Sequence, residues 1–115
     1  MNNFKENIEI ANAYGIKRKA AIEIIEVLSE VRGNSRKHKV LYEKALVRVG
    51  SNRLLMRDLN ALLNSGFLIK KMGRQDELIK ISPYALNREL DEIIYEHKLI
   101  FDRLKKDRRW IDLSP

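Results

Sequence analysis

The feature that most constrains the fold is a change of hydrophobic period at Gly66. Before it, the apolar residues of SNRLLMRDLNALLNS recur at intervals of three and four, which is the spacing of one helix face. After it, FLIKKM and ELIKIS are short β-prone runs on either side of GRQD. The sequence therefore predicts a helix capped by Ser51 and ending at Ser65, followed directly by a β-hairpin with its loop at residues 73 to 76.

Three further helices are predicted upstream of this one. They lie in NNFKENIEIANAYG, KRKAAIEIIEVLSEVRG and HKVLYEKALVRV, and they end at Gly15, Gly33 and Gly50. The second has the widest apolar face and is the best candidate for a central core helix. Between the second and the third, NSRKHK is interpreted as a polar, basic loop in which Ser35 caps the third helix.

A long final helix is predicted over residues 83–109, with Ser82 as its N-cap and Pro83 in its first turn. Its apolar stripe follows a heptad pattern, which is typical of a helix that pairs with another helix. A homodimer is the economical solution, and packing on the chain's own first helix is the alternative. His97 in this stripe is interpreted as a hydrogen-bonded histidine that specifies register, with a pH-sensitive contact as the alternative. The expected dimer interface consists of Leu86, Leu90, Ile93, His97, Ile100 and Leu104.

The predicted order is helix, helix, helix, helix, hairpin, helix, in a single domain followed by a tail at residues 110–115. Two helices joined by a tight turn that contains Gly are typical of a helix-turn-helix. With SNRLLMRDLNALLNSGFLIKK followed by ELIKISPYALNREL, the chain resembles winged helix-turn-helix domains, particularly the MarR-like and PadR-like regulators. The resemblance covers roughly residues 20 to 95. The chain departs from the pattern in its short loop GRQD and in the bulk of Leu46.

The resemblance implies a fold that is mainly α with a small β-hairpin. Residues 1–82 would form the winged helix-turn-helix domain with its N-terminal helix, and the wing would occupy about 67–82. Residues 83–109 would form the dimerisation helix.

The polar residues of the helix that follows Ser51 form one stripe of arginine and asparagine. Arg can bond guanine O6 and N7 with two donors, and Asn can bond adenine N6 and N7. Both side chains also bind phosphate, and a merely solvated helix face is the alternative. Asp58 lies in the same helix, where it either orients a neighbouring arginine or faces solvent. The expected recognition-helix residues are Asn52, Arg53, Arg57, Asn60 and Asn64, opposite the apolar Leu55, Leu59 and Leu62.

Basic residues also lie on the hairpin and before the third helix. Hairpin cations commonly reach phosphates or a narrow minor groove, although Lys70 and Lys71 are also suited to protecting a sheet edge. Cations at a helix N-terminus oppose the helix dipole unless an anion is nearby, and solvated loop charges are the alternative. The expected wing contacts are Lys70, Lys71, Arg74 and Gln75, and the expected phosphate contacts are Arg36, Lys37, Lys39 and Ser51.

Charge and composition narrow the class of function. The chain of 115 residues carries 23 Lys and Arg against 16 Asp and Glu, a net charge of +7 that favours a polyanionic partner. It has no cysteine, and no apolar stretch approaches the roughly 18 residues of a membrane span. The N-terminal MNNFKENIEI lacks the apolar run of a signal peptide. We therefore expect a cytoplasmic protein with no membrane contact, no metal and no cofactor.

Catalytic signatures are missing from the sequence. It contains no glycine-rich phosphate loop and neither an HExxH nor a GxSxG pattern, so we do not expect an enzyme. The expected function is sequence-specific binding of double-stranded DNA by a homodimer, in transcriptional repression. One alternative is a plasmid or viral centromere-binding or replication-control protein, with a partner protein if it is a partition component. An alternative from another class is a protein–protein interaction module.

Overall fold

The computed structural model describes residues 4–87. This part of the chain is mainly helical and contains one small three-stranded antiparallel sheet. Its elements are α1 (Phe4–Ala13), α2 (Lys19–Ser29), β1 (Ser35–Lys37), α3 (His38–Val49), α4 (Asn52–Ser65), β2 (Leu68–Met72), β3 (Glu77–Ile81) and α5 (Pro83–Leu86).

The centre of the core is α2, as the sequence predicts. It contacts α1, α3, α4, β1 and β3, so apolar side chains on most of its circumference are removed from water. The helix ends at Ser29, with Glu30 as C-cap, and thus before the predicted end at Gly33. Its buried residues are Ala20, Ala21, Ile24, Ile25, Val27 and Leu28.

A two-residue turn joins α3 to α4. Gly50 ends α3 in the left-handed conformation, with φ 74, and its N–H donates to the carbonyl of Leu46 at 2.8 Å. A residue without Cβ adopts this φ at no steric cost. Ser51 then caps α4, since its Oγ accepts a hydrogen bond from the N–H of Leu54 at 3.2 Å. These boundaries, and the end of α4 before Gly66, confirm the predictions.

The apolar face of α4 is also as predicted. Leu55, Leu59 and Leu62 are at most 2% exposed, and the helix contacts α2, α3 and β2. Burial of a leucine side chain contributes about 1.5–3 kcal/mol, so these three residues fix which side of α4 faces outward.

The hairpin forms where the sequence predicts it. β2 pairs with β3 from Leu68 opposite Ile81 to Met72 opposite Glu77, which leaves residues 73 to 76 as the loop. A third strand was not predicted. Ser35–Lys37 form β1, which pairs antiparallel with the other edge of β3, so the strand order is β1-β3-β2.

The predicted loop at NSRKHK was therefore wrong, and so was the predicted cap. Ser35 lies opposite Lys80 in the sheet, and α3 begins after Lys37 without a side-chain cap hydrogen bond. A strand of three residues is too short to show alternation in the sequence. The conformation of β1 is set by its hydrogen bonds to the edge of β3.

Polar contacts join α1 to the rest of the domain. The amide nitrogen of Asn7 is buried and donates to Ser29 Oγ at 2.7 Å and to Asn34 Oδ1 at 3.1 Å. The carbonyl of Asn34 in turn accepts from the N–H of Ile81 at 3.0 Å. The ends of α1 and α2 are thereby connected to the sheet.

At the start of the predicted final helix, the described residues contain the short helix α5 (Pro83–Leu86) with Asn87 as its C-cap, and the rest of the predicted range to residue 109 lies outside them. Ser82 caps α5 by accepting from the N–H of Ala85 at 3.4 Å, and Pro83 is in the first turn. Leu86 is half-buried and packs against the core of its own chain. Across residues 4–87, no helix is long and apolar enough to cross a membrane. The other expected dimer residues and the tail lie outside the described residues: Leu90, Ile93, His97, Ile100, Leu104 and 110–115.

Candidate nucleic-acid interface

The outward side of α4 carries a row of polar side chains, which we call the α4 stripe. Its members are all exposed, whereas the leucines of the opposite side are buried. The structure therefore brings together all the residues that the sequence assigns to a recognition helix. They are Asn52, Arg53, Arg57, Asn60 and Asn64.

One acidic residue of α4 lies beneath this stripe. The side chain of Asp58 is 1% exposed, so the expectation that it faces solvent is wrong. Its Oδ1 accepts from Nε of Arg57 at 3.0 Å and lies 3.5 Å from Nη1 of Arg18. The other interpretation of Asp58, contact with a neighbouring arginine, agrees with the structure.

The two arginines of the stripe differ in their surroundings. The side chain of Arg57 is 40% exposed, and within residues 4–87 its terminal amino groups have no ion-pair or hydrogen-bond partner. Arg53 is exposed and has no ion pair in the same part of the chain. Both side chains can thus donate hydrogen bonds to an external acceptor. Arg57 does so while Asp58 holds its Nε, whereas Arg53 has no such restraint.

The hairpin residues are also exposed. Arg74 and Gln75 lie in its loop, and Lys71 lies on β2, an edge strand of the sheet. Lys70 Nζ is 3.6 Å from Glu77 Oε1, so part of its charge is already balanced on the neighbouring strand. Both interpretations of the two lysines, contact with an external anion and protection of a sheet edge, are compatible with this position.

The residues expected to bind phosphate fall into two groups. Lys37 and Lys39 are exposed, and Lys37 Nζ pairs with Oδ2 of Asp76, in the hairpin loop, at 3.2 Å. Arg36 instead points into the chain. Its Nε donates to the carbonyl of Val27 at 2.9 Å, and its side chain is only 15% exposed. We therefore do not include Arg36 in the candidate interface.

Ser51 has a structural role that the sequence also predicts. Its oxygen caps α4 at the position where the helix meets the turn, and the residue is half-buried. A hydroxyl has one donor besides its acceptor lone pairs, so capping leaves its proton available to an external oxygen. A phosphate contact and the cap are thus compatible at this residue.

The contact of Arg18 with Asp58 is one that the sequence patterns do not identify. Arg18 lies 40 positions before Asp58 and has an extended backbone conformation immediately before α2. The packing of α2 on α4 brings the two residues together. No local pattern in the sequence could reveal this pair, because it depends on how two distant helices pack.

A second charged cluster lies between α2 and α3. Nη1 of Arg48 is 3.6 Å from Glu23 and 3.2 Å from Glu26, and Nη2 contacts Glu30. Burial and the neighbouring Glu23 carboxylate raise the pKa of Glu26, and Arg48 only partly offsets them. Glu30, the C-cap of α2, is exposed whereas Glu23 and Glu26 are half-buried, and all three carboxylates lie close enough to Arg48 to form an ion-pair cluster.

The chain was compared with protein-family models, with curated proteins and with solved structures, and no significant match was found. Among the described residues, no group of three or more His, Cys, Asp or Glu side chains is placed to hold a metal ion. What the site can do must therefore be inferred from its own residues.

Proposed function

We propose that this protein is a winged helix-turn-helix protein that binds double-stranded DNA in a sequence-specific manner, as a homodimer, and represses transcription. The observation that carries the proposal is the α4 stripe, an exposed surface of arginine and asparagine that lies between a tight turn and a β-hairpin. In this proposal α3 and α4 form the helix-turn-helix, and the β2–β3 hairpin is the wing.

The α4 stripe has the chemistry of a surface that reads base edges. The major groove is about 12 Å wide and admits one helix, and arginine and asparagine are the side chains that match guanine and adenine there. Met56, which is 39% exposed, lies one turn from both Arg53 and Asn60. An apolar side chain at this place is suited to contact with a thymine methyl group.

The surroundings of α4 offer further donors to the DNA backbone. Arg74 and Gln75 at the wing are exposed and would reach phosphates or the minor groove beside the recognition helix. Lys39 and Ser51, near the start of α3 and of α4, would bind phosphate. These contacts would fix the register of the protein on DNA, whereas base contacts from the α4 stripe would select the sequence.

The dimer in this proposal follows from the sequence of the final helix. A twofold axis would present two copies of α4 to half-sites about 34 Å apart, one turn of DNA. We infer repression from the resemblance to MarR-like and PadR-like regulators. A partition protein of the same architecture would differ in its footprint, which would cover an array of repeats instead of one palindrome.

Salt-dependent binding of duplex DNA tests the proposal. Each phosphate that the protein no longer neutralises reduces the slope of log affinity against log salt by about 1, so Arg53→Ala should weaken binding and lower the slope. Lys5→Ala is the matched control, since it removes one exposed positive charge from α1. If the wild-type chain binds no duplex, a protein-interaction module becomes the better explanation. If both variants weaken binding equally, the chain binds DNA through its overall positive charge and the proposed interface is wrong.

A further inference from the structure

Asp58 is a buried carboxylate in the middle of α4 that faces two guanidinium groups. Its Oδ1 is 3.0 Å from Nε of Arg57 and 3.5 Å from Nη1 of Arg18. Its Oδ2 is buried and has no hydrogen-bond partner within residues 4–87. A buried carboxylate with one unpaired oxygen costs stability, so packing alone does not account for an aspartate at this position.

The contact with Asp58 leaves one particular edge of Arg57 available. A guanidinium offers two donors side-on through Nε and one terminal amino group, or end-on through both terminal amino groups. Asp58 occupies Nε, and the side chain of Arg57 is 40% exposed, so the end-on pair is the edge that remains for an external acceptor. Two adjacent donors match O6 and N7 of guanine.

We propose that Asp58 is a positioning residue that holds Arg57 so that its two terminal amino groups read a guanine in the major groove. The preferred DNA site would then contain a guanine opposite Arg57 in each half-site. This inference rests on the proposed function. It adds the identity of one base, guanine, and the residue, Asp58, that positions the arginine which contacts it.

Arg53 provides the contrast. It is exposed and has no ion pair within the described part of the chain, so no ionic contact there restricts its rotamers. A side chain that must be ordered on binding loses more entropy than one that is already held. Arg53 is therefore assigned to phosphate, and Arg57 to a base.

Arg18 allows this role to be separated from a structural one. It contacts the same carboxylate oxygen from the start of α2, and its side chain is 22% exposed. If Asp58 only connected α2 to α4, loss of Arg18 would have the same consequence as loss of the carboxylate. If Asp58 positions Arg57, the two losses differ.

The experiment is selection from a randomised duplex library, with affinity for a mixed-sequence duplex that lacks the selected site measured separately. The proteins are the wild-type chain, Asp58→Asn, Arg57→Ala and Arg18→Gln. In Asp58→Asn and Arg57→Ala, the preference for one guanine per half-site should fall by about tenfold, the order of discrimination supplied by one bidentate pair. Non-specific affinity should not fall in Asp58→Asn, because a negative charge is removed. Arg18→Gln should keep the guanine.

Three results would overturn the inference: an unchanged guanine preference in Asp58→Asn, an equal loss of specific and non-specific affinity in that variant, or the same loss of preference in Arg18→Gln. Failure of the proposed function has a different signature, because the wild-type chain would then bind no duplex. A wild-type chain that binds duplex but selects no guanine dependent on Arg57 contradicts the positioning role alone.

A measurement on the wild-type chain does not depend on the folding of any variant. The Nε–H of Arg57 is bonded to Asp58, whereas Arg53 has no ion pair in residues 4–87. NMR should therefore show slower solvent exchange for the Nε–H of Arg57 than for that of Arg53. Equal exchange rates would show that Asp58 does not hold Arg57 in solution, and the inference would fail.

Discussion

Arg36 donates a hydrogen bond from Nε to the backbone carbonyl of Val27 at 2.9 Å. The bond joins β1 to the last turn of α2, and Nη2 of the same side chain lies 3.8 Å from Glu30. The Val27 carbonyl also accepts from the N–H of Glu30 at 3.4 Å, and a cation is well suited to the C-terminus of a helix. The sequence suggests phosphate binding for this basic segment, but the contacts of Arg36 stabilise the fold instead.

Loss of Arg36 should therefore cost stability. Hydrogen bonds that involve a charged group contribute about 1.5–3 kcal/mol, and we expect Arg36→Ala to lower the free energy of unfolding by about that amount. Urea denaturation measures it. Lys37→Ala is the matched control, because its pair with Asp76 is exposed on both sides and should contribute less than about 1 kcal/mol. Equal losses in the two variants would show that Arg36 is not a structural residue.

Ser51 allows helix capping and DNA contact to be tested separately. Its oxygen accepts from the N–H of Leu54, and removal of such a cap costs about 1 kcal/mol, so Ser51→Ala should be less stable than wild type. Ser51→Asp retains a capping oxygen and should keep most of the stability in thermal unfolding.

The same aspartate introduces a negative charge where we propose a phosphate. Ser51→Asp should consequently bind duplex DNA more weakly than Ser51→Ala, although it is the more stable variant. The opposite order of affinities would place Ser51 away from the DNA backbone.

Glu26 makes stability depend on pH. Burial, followed by the neighbouring Glu23, raises the pKa of Glu26, so the folded state binds this proton more tightly than the unfolded state does. Its contribution to stability therefore falls as pH rises through the range between the unfolded and folded pKa values, and it stays low above that range. Glu26→Gln should be more stable than wild type near neutral pH, as measured by thermal unfolding.

The gain from Glu26→Gln should disappear at about pH 3, where the carboxyl group is protonated in both states. Glu30→Gln serves as the control. Glu30 pairs with both Arg48 and Arg36, and its loss should not stabilise the chain at neutral pH. A destabilised Glu26→Gln at neutral pH would mean that the ion pair with Arg48 outweighs burial.

The element boundaries that the sequence predicts well are those set by local chemistry. Gly50 and Gly66 end helices in a left-handed conformation, and Ser51 and Ser82 accept cap hydrogen bonds three residues ahead. The short strand β1 was missed, because its conformation depends on the edge of β3, more than 40 positions further along the chain.

In the candidate site too, some features follow from the local sequence and others depend on contacts in the folded chain. The α4 stripe follows from helical period alone, since burial of Leu55, Leu59 and Leu62 determines which side faces outward. Which cations remain available does not follow from period. Arg36 is occupied by the carbonyl of Val27, a contact that depends on how β1 lies against the end of α2. Arg57 is held by the adjacent Asp58, which is one of the two interpretations open from the sequence, and the burial of Asp58 against Arg18 decides between them.

The most direct test of the central claim is to map the surface of the protein that duplex DNA touches. NMR spectra would be recorded as a duplex with the selected site is added to the wild-type chain. We predict that the largest shifts fall on the α4 stripe and on Arg74 and Gln75, with little change at the cluster of Glu23, Glu26, Glu30 and Arg48. Shifts centred on that cluster, or a duplex that leaves the α4 stripe unperturbed, would contradict the claim.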